Sequence, residues 1–140
     1  MPKPVTPLLT VDGVLFDAAG RLLLIRRKHP PFEGQWALPG GFVDVGETVE
    51  AACARELAEE TGLAIDPADL TLVGVFSDPA RDPRGHTASA AFTATLADAP
   101  VPQAGDDAAH AEWRADWRDL PLGFDHAQII ARAVSLLSQM

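Results

Sequence analysis

One stretch of the chain limits what this sequence can form more than any other. Residues 49–61 are rich in alanine, glutamate and leucine, contain no glycine or proline, and lie between Thr48 and Gly62. A threonine before a helix accepts hydrogen bonds from first-turn N–H groups, and a glycine just after it closes the last turn. The sequence therefore predicts a helix over Val49–Thr61.

This helix and the loop before it carry much of the negative charge of the chain. The 140 residues include 11 Lys+Arg and 20 Asp+Glu, a formal net charge of −9. Residues 41–63 hold six of these acids and a single base, Arg55. Three of the acids, Glu56, Glu59 and Glu60, are spaced i, i+3 and i+4, so they leave the helix on one side and repel each other. A bound divalent cation would offset this repulsion.

The donor atoms indicate which cation would bind. Carboxylates on one helix face and backbone carbonyls from a neighbouring glycine turn form an all-oxygen set, which suits Mg²⁺ or Mn²⁺ better than Zn²⁺. The alternative interpretation is a solvated acidic helix surface, which is the commoner role of a run of charge. The residues around the helix favour the metal.

Those residues form an extended pattern. Gly41 is followed after five residues by Glu47, and after seven more by the run RELAEETGL from Arg55 to Leu63. Every fixed position and both spacings resemble the Nudix box of hydrolases that cleave a nucleoside diphosphate linked to another moiety. The resemblance implies an α/β fold, a Nudix-type α/β/α sandwich with a mixed central β-sheet, a loop–helix–loop box and a C-terminal helix.

The rest of the chain supplies strands and a second helix for such a fold. Aliphatic and β-branched runs predict strands over residues 7–16, 21–27, 70–77 and 86–96, with a shorter one over 112–117. The amphipathic stretch 128–137 predicts the C-terminal helix. Because the chain shows no internal repeat or linker, we expect a single domain over residues 1–140.

The resemblance also implies roles for residues of the box. The metal-binding carboxylates would be Glu56, Glu59 and Glu60. The carbonyl of Gly40 would be a backbone ligand of the Mg²⁺ or Mn²⁺. Arg55 resembles the family arginine that orients the helix glutamates, and Glu47 would be its partner in the preceding loop.

A hydrolase also needs a base that takes a proton from the attacking water. Family members differ in this respect, so we keep three candidates: Glu56, Glu60, or an acid on another loop. The pair Asp106-Asp107 precedes Trp113 at the place where several relatives carry such a loop acid. Asp107 is the better candidate of the two, and the alternative is an Asx-turn pair that caps the last strand.

The loop over residues 77–86 is the most informative about the substrate. Pro79, sixteen residues beyond the box, resembles the spacing of the ADP-ribose pyrophosphatase branch. Arg81 and Arg84 in this proline-rich loop can present guanidinium groups to a diphosphate or a ribose. The alternative is that both arginines pair with the aspartates of their own loop.

Two more residues are candidates for substrate contacts. Arg27 ends the predicted strand 21–27, and we expect it to contact a phosphate if its side chain faces the site. Phe32 lies in the following loop and can stack on an adenine ring, although such a residue more often anchors a loop or a core.

Composition excludes several classes of partner. The net charge has the wrong sign for binding nucleic acid or an anionic membrane surface. One cysteine cannot form an internal disulfide, and the sequence has neither a signal pattern nor an apolar run long enough to span a bilayer. We therefore expect a cytoplasmic protein.

The resemblance implies Mg²⁺-dependent hydrolysis of a nucleotide diphosphate, with ADP-ribose split into AMP and ribose 5-phosphate. Other Nudix substrates are alternatives: a nucleoside triphosphate, NADH or a dinucleoside polyphosphate. A further alternative is a sensor that binds ADP-ribose without cleaving it. We also expect that the chain can form a homodimer, as ADP-ribose pyrophosphatases often do.

Overall fold

The first strand is the element around which the fold is built. In the computed structural model, which describes residues 2–105 and 108–140, this strand carries eight consecutive buried residues. The elements in chain order are β1 (Leu8–Asp17), β2 (Leu22–Arg27), β3 (Trp36–Ala37), β4 (Gly40–Phe42), α1 (Val49–Thr61), β5 (Thr71–Phe76), β6 (Thr87–Leu96), β7 (Ala108–Arg114) and α2 (His126–Ser138).

Within the described residues, seven strands form one mixed sheet with the main order β3-β2-β1-β6-β5. β1 and β6 run parallel along their whole length, and the other pairs are antiparallel. The first half of β1 also pairs with β4, which places Phe42 opposite Thr10 and Gly40 opposite Asp12. β7 pairs with the outer side of β2.

Side chains of β1 alternate between two packed layers, as strand geometry requires. Val11 and Leu15 pack in one cluster with Leu57 of α1. Val14 packs in the other cluster with Ile129 of α2, on the opposite face of the sheet. One helix on each face of a mixed sheet confirms the predicted α/β/α sandwich.

α1 has the bounds that the sequence predicts. The Thr48 hydroxyl accepts a hydrogen bond from the Ala51 N–H at 3.1 Å. Gly62 adopts φ +74°, and its N–H donates to the Ala58 carbonyl at 3.0 Å. Both ends of α1 are therefore fixed by local interactions.

Two predicted elements are placed differently in the structure. β7 covers Ala108–Arg114 instead of 112–117, because Trp117 lies in a short 3₁₀ helix and its ring packs edge-on against Phe16, with the centroids 5.8 Å apart. α2 begins at His126, two residues before the predicted start, because its first buried residue is a histidine and not an aliphatic. In the part of the chain that the structure describes, no helix combines the length and apolar character of a membrane span.

Candidate functional site

Two glycines of β4 bring the backbone directly against the acidic face of α1. The Gly40 N–H donates to Glu60 Oε2 at 2.9 Å. A Cβ atom at position 41 would lie 2.6 Å from the Glu56 carboxylate, and one at position 40 would collide with the Val11 carbonyl. Only glycine leaves this space to the carboxylates, since real Cβ atoms do not approach other atoms so closely.

Arg55 links the loop before α1 to the helix. Its Nε and Nη2 donate to the two carboxylate oxygens of Glu47, each at 2.8 Å. Nη1 donates to Glu56 Oε1 at 2.9 Å and to Glu59 Oε2 at 3.2 Å, and Nη2 also donates to the Phe42 carbonyl at 3.0 Å. One guanidinium therefore fixes the positions of three carboxylates, which is the geometry expected of a bidentate arginine.

Hydrogen bonds set the charge of the Glu47 carboxylate. Donation from Arg55, followed by donation from the Asp44 backbone N–H at 2.8 Å, lowers the pKa of Glu47 to about 2. Hydrogen bonds to Glu47, Glu56 and Glu59 raise the pKa of Arg55 above its usual value. Both groups are consequently charged near neutral pH.

The box carboxylates fit a divalent cation by their chemistry. Glu56 and Glu60 are 9% and 6% exposed, and both carboxylates lie beside the glycine backbone of β4. The Glu59 side chain is 53% exposed and contacts Arg55. Among residues 2–105 and 108–140, no three His, Cys, Asp or Glu side chains are already arranged to hold an ion. The metal-ligand roles of Glu56, Glu59, Glu60 and the Gly40 carbonyl all stay predictions.

A central cleft opens next to this acidic corner. Its walls come from β1, β4, the loop over residues 77–86 and the start of α2, and they include Glu60, Gly41 and Arg84. Carboxylate and guanidinium groups thus face each other across one opening. Such a cleft can hold a cation and an anionic ligand together.

A buried network that the sequence did not reveal lies under the cleft. Asp12 accepts a hydrogen bond from Ser89 Oγ at 2.5 Å, and its Oδ1 lies 3.2 Å from His126 Nε2. The Leu38 backbone N–H donates to His126 Nδ1 at 3.0 Å. Because Nδ1 accepts, the neutral ring carries its hydrogen on Nε2. In the sequence, the hint of this network is Asp12, an aspartate within the aliphatic run of β1.

Arg81 lines the cleft and also belongs to this network, and its predicted contact with substrate stays a prediction. The Arg81 side chain is 4% exposed, and its Nε and Nη2 donate to the two carboxylate oxygens of Asp125 at 2.9 and 2.8 Å. Nη1 donates to Thr87 Oγ1 at 2.7 Å, and Nη2 lies 3.6 Å from Asp12 Oδ2. Each guanidinium nitrogen of Arg81 therefore has a hydrogen-bond partner in the protein. These partners are not the aspartates of its own loop, which the alternative interpretation names.

Arg84 pairs with an aspartate of its own loop, as the alternative interpretation states, and its predicted contact with substrate stays a prediction. Its Nε and Nη2 donate to Asp82 at 3.1 and 2.9 Å, and 46% of its side chain stays exposed at the cleft. Burial alone would raise the pKa of Asp82, but the hydrogen bonds from Arg84 outweigh it and lower that pKa. The guanidinium carbon lies 5.5 Å from the Phe42 ring centroid and 5.7 Å from that of Phe124.

The two other candidate substrate residues differ in their position relative to the central cleft. Arg27 lines the central cleft, with its guanidinium carbon 5.0 Å from the Phe124 centroid and its Nε donating to the Pro31 carbonyl at 2.6 Å. Phe32 does not line this cleft. Its ring packs edge-on against Phe124, with centroids 4.8 Å apart, and it borders another hollow beside Asp78.

The match to a protein family agrees with this geometry. The family model described as NUDIX domain matches residues 6–133. This chain belongs to the Nudix family. The membership of the Nudix hydrolases that the box predicts is therefore confirmed.

Two curated relatives resemble this Nudix protein over most of its length. An ADP-ribose pyrophosphatase of Methanocaldococcus jannaschii is 50% identical over 125 residues, which cover 89% of this chain and 71% of the relative. An ADPR responsive transcriptional repressor, NtrR of Acinetobacter baylyi, is 36% identical over 95% of this chain and 55% of its own length. The chain thus spans about half of that repressor.

Two solved structures share the fold of this Nudix protein. The NUDIX domain of Shewanella oneidensis NrtR complexed with ADP ribose gives a TM-score of 0.87 at 33% identity, covering 95% of this chain and 90% of that one. A bifunctional NMN adenylyltransferase/ADP ribose pyrophosphatase of Francisella tularensis, complexed with AMP and Mn ion, gives 0.83 at 30% identity, covering 93% and 42%. The predicted absence of a nucleic-acid partner stays a prediction, since one relative is a transcriptional repressor.

The predicted loop acid of this Nudix protein, Asp107, lies outside the described residues. The chain just before it is held against the end of α1. The Gln103 N–H donates to the Thr61 carbonyl at 2.8 Å, and the Gly105 N–H donates to the Glu60 carbonyl at 3.1 Å. These bonds satisfy carbonyls that a helix end otherwise leaves without a partner.

Proposed function

We propose that this chain is a divalent-cation-dependent hydrolase that splits ADP-ribose into AMP and ribose 5-phosphate. The observation that carries the proposal is the pair of buried carboxylates, Glu56 and Glu60, held beside β4 at the edge of an arginine-lined cleft. The Methanocaldococcus jannaschii relative named an ADP-ribose pyrophosphatase supports the choice of substrate.

The charge of the site explains why a cation and two arginines are needed together. A diphosphate is anionic, and the chain has a net charge of −9. Arg27 and Arg84 stand on the cleft walls, where their charges favour phosphate oxygens. Mg²⁺ or Mn²⁺, when bound by the box carboxylates, would neutralise phosphate charge and lower the pKa of a bound water.

Residues of the box then have distinct roles in the proposed reaction. Arg55 positions Glu56 and Glu59, and the Gly40 N–H positions Glu60. A carboxylate must accept the proton from the water that attacks phosphorus, and Glu56, Glu60 and Asp107 remain the candidates. Because Arg55 and the Gly40 N–H act through other groups, their roles are positioning ones, whereas the Gly40 carbonyl is a proposed metal ligand.

Substitution of Glu60 tests the proposal directly. Glu60→Gln keeps the shape of the side chain and its bond from Gly40, but removes one negative charge. We expect kcat for ADP-ribose hydrolysis to fall by about 10³-fold or more, in the range seen when a catalytic carboxylate is lost. Release of AMP and ribose 5-phosphate, measured with and without Mg²⁺, reports the effect.

The exposed Glu50 in the first turn of α1 offers a matched control. Glu50→Gln makes the same chemical change away from the glycine turn and should retain the wild-type rate. Equal rates in Glu60→Gln and the wild type would contradict the assignment of the site.

A second function deserves a test because one relative is named as responsive to ADPR. In that case the cleft would bind ADP-ribose without cleaving it. Calorimetry that gives tight ADP-ribose binding, together with no product in Mg²⁺, would favour the sensor. A parallel panel with a nucleoside triphosphate, NADH and a dinucleoside polyphosphate separates the alternative substrates.

A further inference from the structure

A second hollow adjoins the central cleft, and the function proposed above does not use it. It lies between the N-terminal residues 5–8 and the loop over residues 82–87, and Phe42 contributes to its wall. The Leu8 N–H donates to the His86 carbonyl at 3.2 Å, which joins the two sides. Leu8 is 60% exposed and Phe42 is 43% exposed.

These exposed apolar side chains are unusual because they lie together. Leu8, Phe42 and the fully exposed Val5 border one hollow, whereas exposed apolar residues are normally scattered singly over a surface. The Phe42 ring is a flat apolar surface that water solvates poorly. A planar apolar group of a ligand would cover it favourably.

The hollow is continuous with the central cleft. Phe42, Asp82 and Arg84 border both spaces. The Arg84 guanidinium lies near the Phe42 ring and is held in place by Asp82. A ligand whose charged phosphates occupy the cleft would therefore place its next group on Phe42.

We propose that this hollow binds the nucleobase of the nucleotide, with the base on Phe42 and Leu8 and with Arg84 between base and diphosphate. The proposal rests on the proposed function, which places a nucleotide diphosphate in the cleft. Bases stack on aromatic rings and on arginine, and such stacking depends little on the identity of the base. The hollow therefore accounts for affinity towards nucleotides in general. It does not account for a preference for one base over another.

The hollow beside Phe32 suits a base less well. Its lining includes the carboxylates of Asp78 and Asp125, and the Phe32 ring already packs against Phe124. Carboxylates accept hydrogen bonds from hydroxyl groups. That side of the cleft consequently fits a ribose better than an aromatic ring.

The test compares a ligand that has a base with one that lacks it. AMP and ribose 5-phosphate are titrated into the full chain by calorimetry in Mg²⁺. We expect the wild type to prefer AMP and Phe42→Ala to weaken AMP binding about tenfold, the order of the loss of one stacking contact. Leu8→Ser should weaken it about threefold, because less area is covered. Ribose 5-phosphate should bind all variants equally.

Leu72→Ser is the matched control, since Leu72 is a 51% exposed leucine on β5 outside the hollow. It should bind AMP as the wild type does. A Phe42→Leu variant keeps the apolar volume without the flat ring, so it separates loss of stacking from loss of folding. Its AMP affinity should fall between those of the wild type and Phe42→Ala.

The outcomes distinguish this proposal from the proposed function. Wild-type AMP affinity in both Phe42→Ala and Leu8→Ser, or equal losses for AMP and ribose 5-phosphate, would overturn the base site even if ADP-ribose is hydrolysed. A selective loss of AMP binding would support it even if the wild type releases no product.

Discussion

At the scale of single residues, Gly41 shows how closely the backbone approaches the acids of α1. A Cβ atom added there would lie only 2.6 Å from the Glu56 carboxylate, which is closer than real Cβ atoms approach. We predict that Gly41→Ala weakens binding of Mn²⁺ by about tenfold or more, because the carboxylate must move away. Mn²⁺ titration followed by electron paramagnetic resonance measures the change.

Gly74 provides the comparison for that variant. A Cβ atom at Gly74 would make ordinary contacts, the nearest at 3.7 Å to Phe76. Gly74→Ala should bind Mn²⁺ as the wild type does. Unchanged Mn²⁺ affinity in Gly41→Ala would mean that the Glu56 carboxylate is not a ligand.

Thr10 is a second residue with a testable consequence. It is 8% exposed, and its hydroxyl oxygen has no hydrogen-bond partner among the described residues. We predict that Thr10→Val leaves the free energy of unfolding unchanged or raises it by about 1 kcal/mol, since a buried hydroxyl without a partner is destabilising. Urea denaturation of the variant and the wild type measures the difference.

Thr93 offers a matched threonine-to-valine substitution, for which we expect the opposite change in the free energy of unfolding. Its hydroxyl is buried and donates to the Val14 carbonyl at 2.8 Å. Thr93→Val should lower the free energy of unfolding by about 1 kcal/mol, because a made hydrogen bond is lost. If both variants were destabilised equally, the different hydrogen bonding of the two hydroxyls would not explain their stability.

At the scale of elements, the box loop and α1 are joined by the Arg55–Glu47 pair. The pKa of Glu47 is about 2 in the folded protein, against 4.5 ordinarily, so its contribution to stability is present above pH 4.5 and lost as the pH falls towards 2. We predict that the unfolding free energy of Glu47→Gln falls less steeply over this range. Urea denaturation at several pH values tests this, and an identical slope would contradict it.

The elements also show why some of the structure follows from the sequence and some does not. α1 was predictable to the residue because Thr48 and Gly62 act on their own neighbours. The true start of β7 and the position of Trp117 depend on packing against β2 and Phe16, which are distant in sequence. Local patterns therefore predicted the helix well and the last strand poorly.

The candidate site likewise has residues that the local sequence predicted and residues that it did not. Glu47, Arg55, Glu56 and Glu60 lie within one short segment, and its resemblance to the Nudix box predicted that they act together. The pairing of Arg81 was not predicted, because its partner, Asp125, is 44 residues away. Asp12 and His126 were missed for the same reason, since their contact exists only in the folded sheet.

At the scale of the whole molecule, the Arg81–Asp125 pair joins the loop over residues 77–86 to the start of α2. Both side chains are buried, at 4% and 11% exposure. We predict that Asp125→Ala lowers the free energy of unfolding by about 3 kcal/mol, because it leaves Arg81 buried with part of its charge unpaired. Thermal unfolding by calorimetry measures the loss.

The double variant Arg81→Met, Asp125→Ala tests the reason for that loss. Removing both charges should restore part of the stability, since no unpaired guanidinium remains. Additive losses would indicate that the two residues do not depend on each other. The single domain over residues 1–140 and the homodimer stay predictions at this scale, and sedimentation analysis tests the second.

The tautomer of His126 has a consequence for proton transfer in the cleft. The ring borders the cleft, yet Nδ1 already accepts a hydrogen bond from the Leu38 N–H, and Nε2 lies 3.2 Å from Asp12 Oδ1. A neutral imidazole whose Nδ1 accepts a hydrogen bond and whose Nε2 carries the hydrogen has no free lone pair that could take a proton from water. Histidine is a common proton carrier near neutral pH, so the hydrogen bond at Nδ1 withdraws this ring from that role and agrees with the carboxylate candidates proposed above.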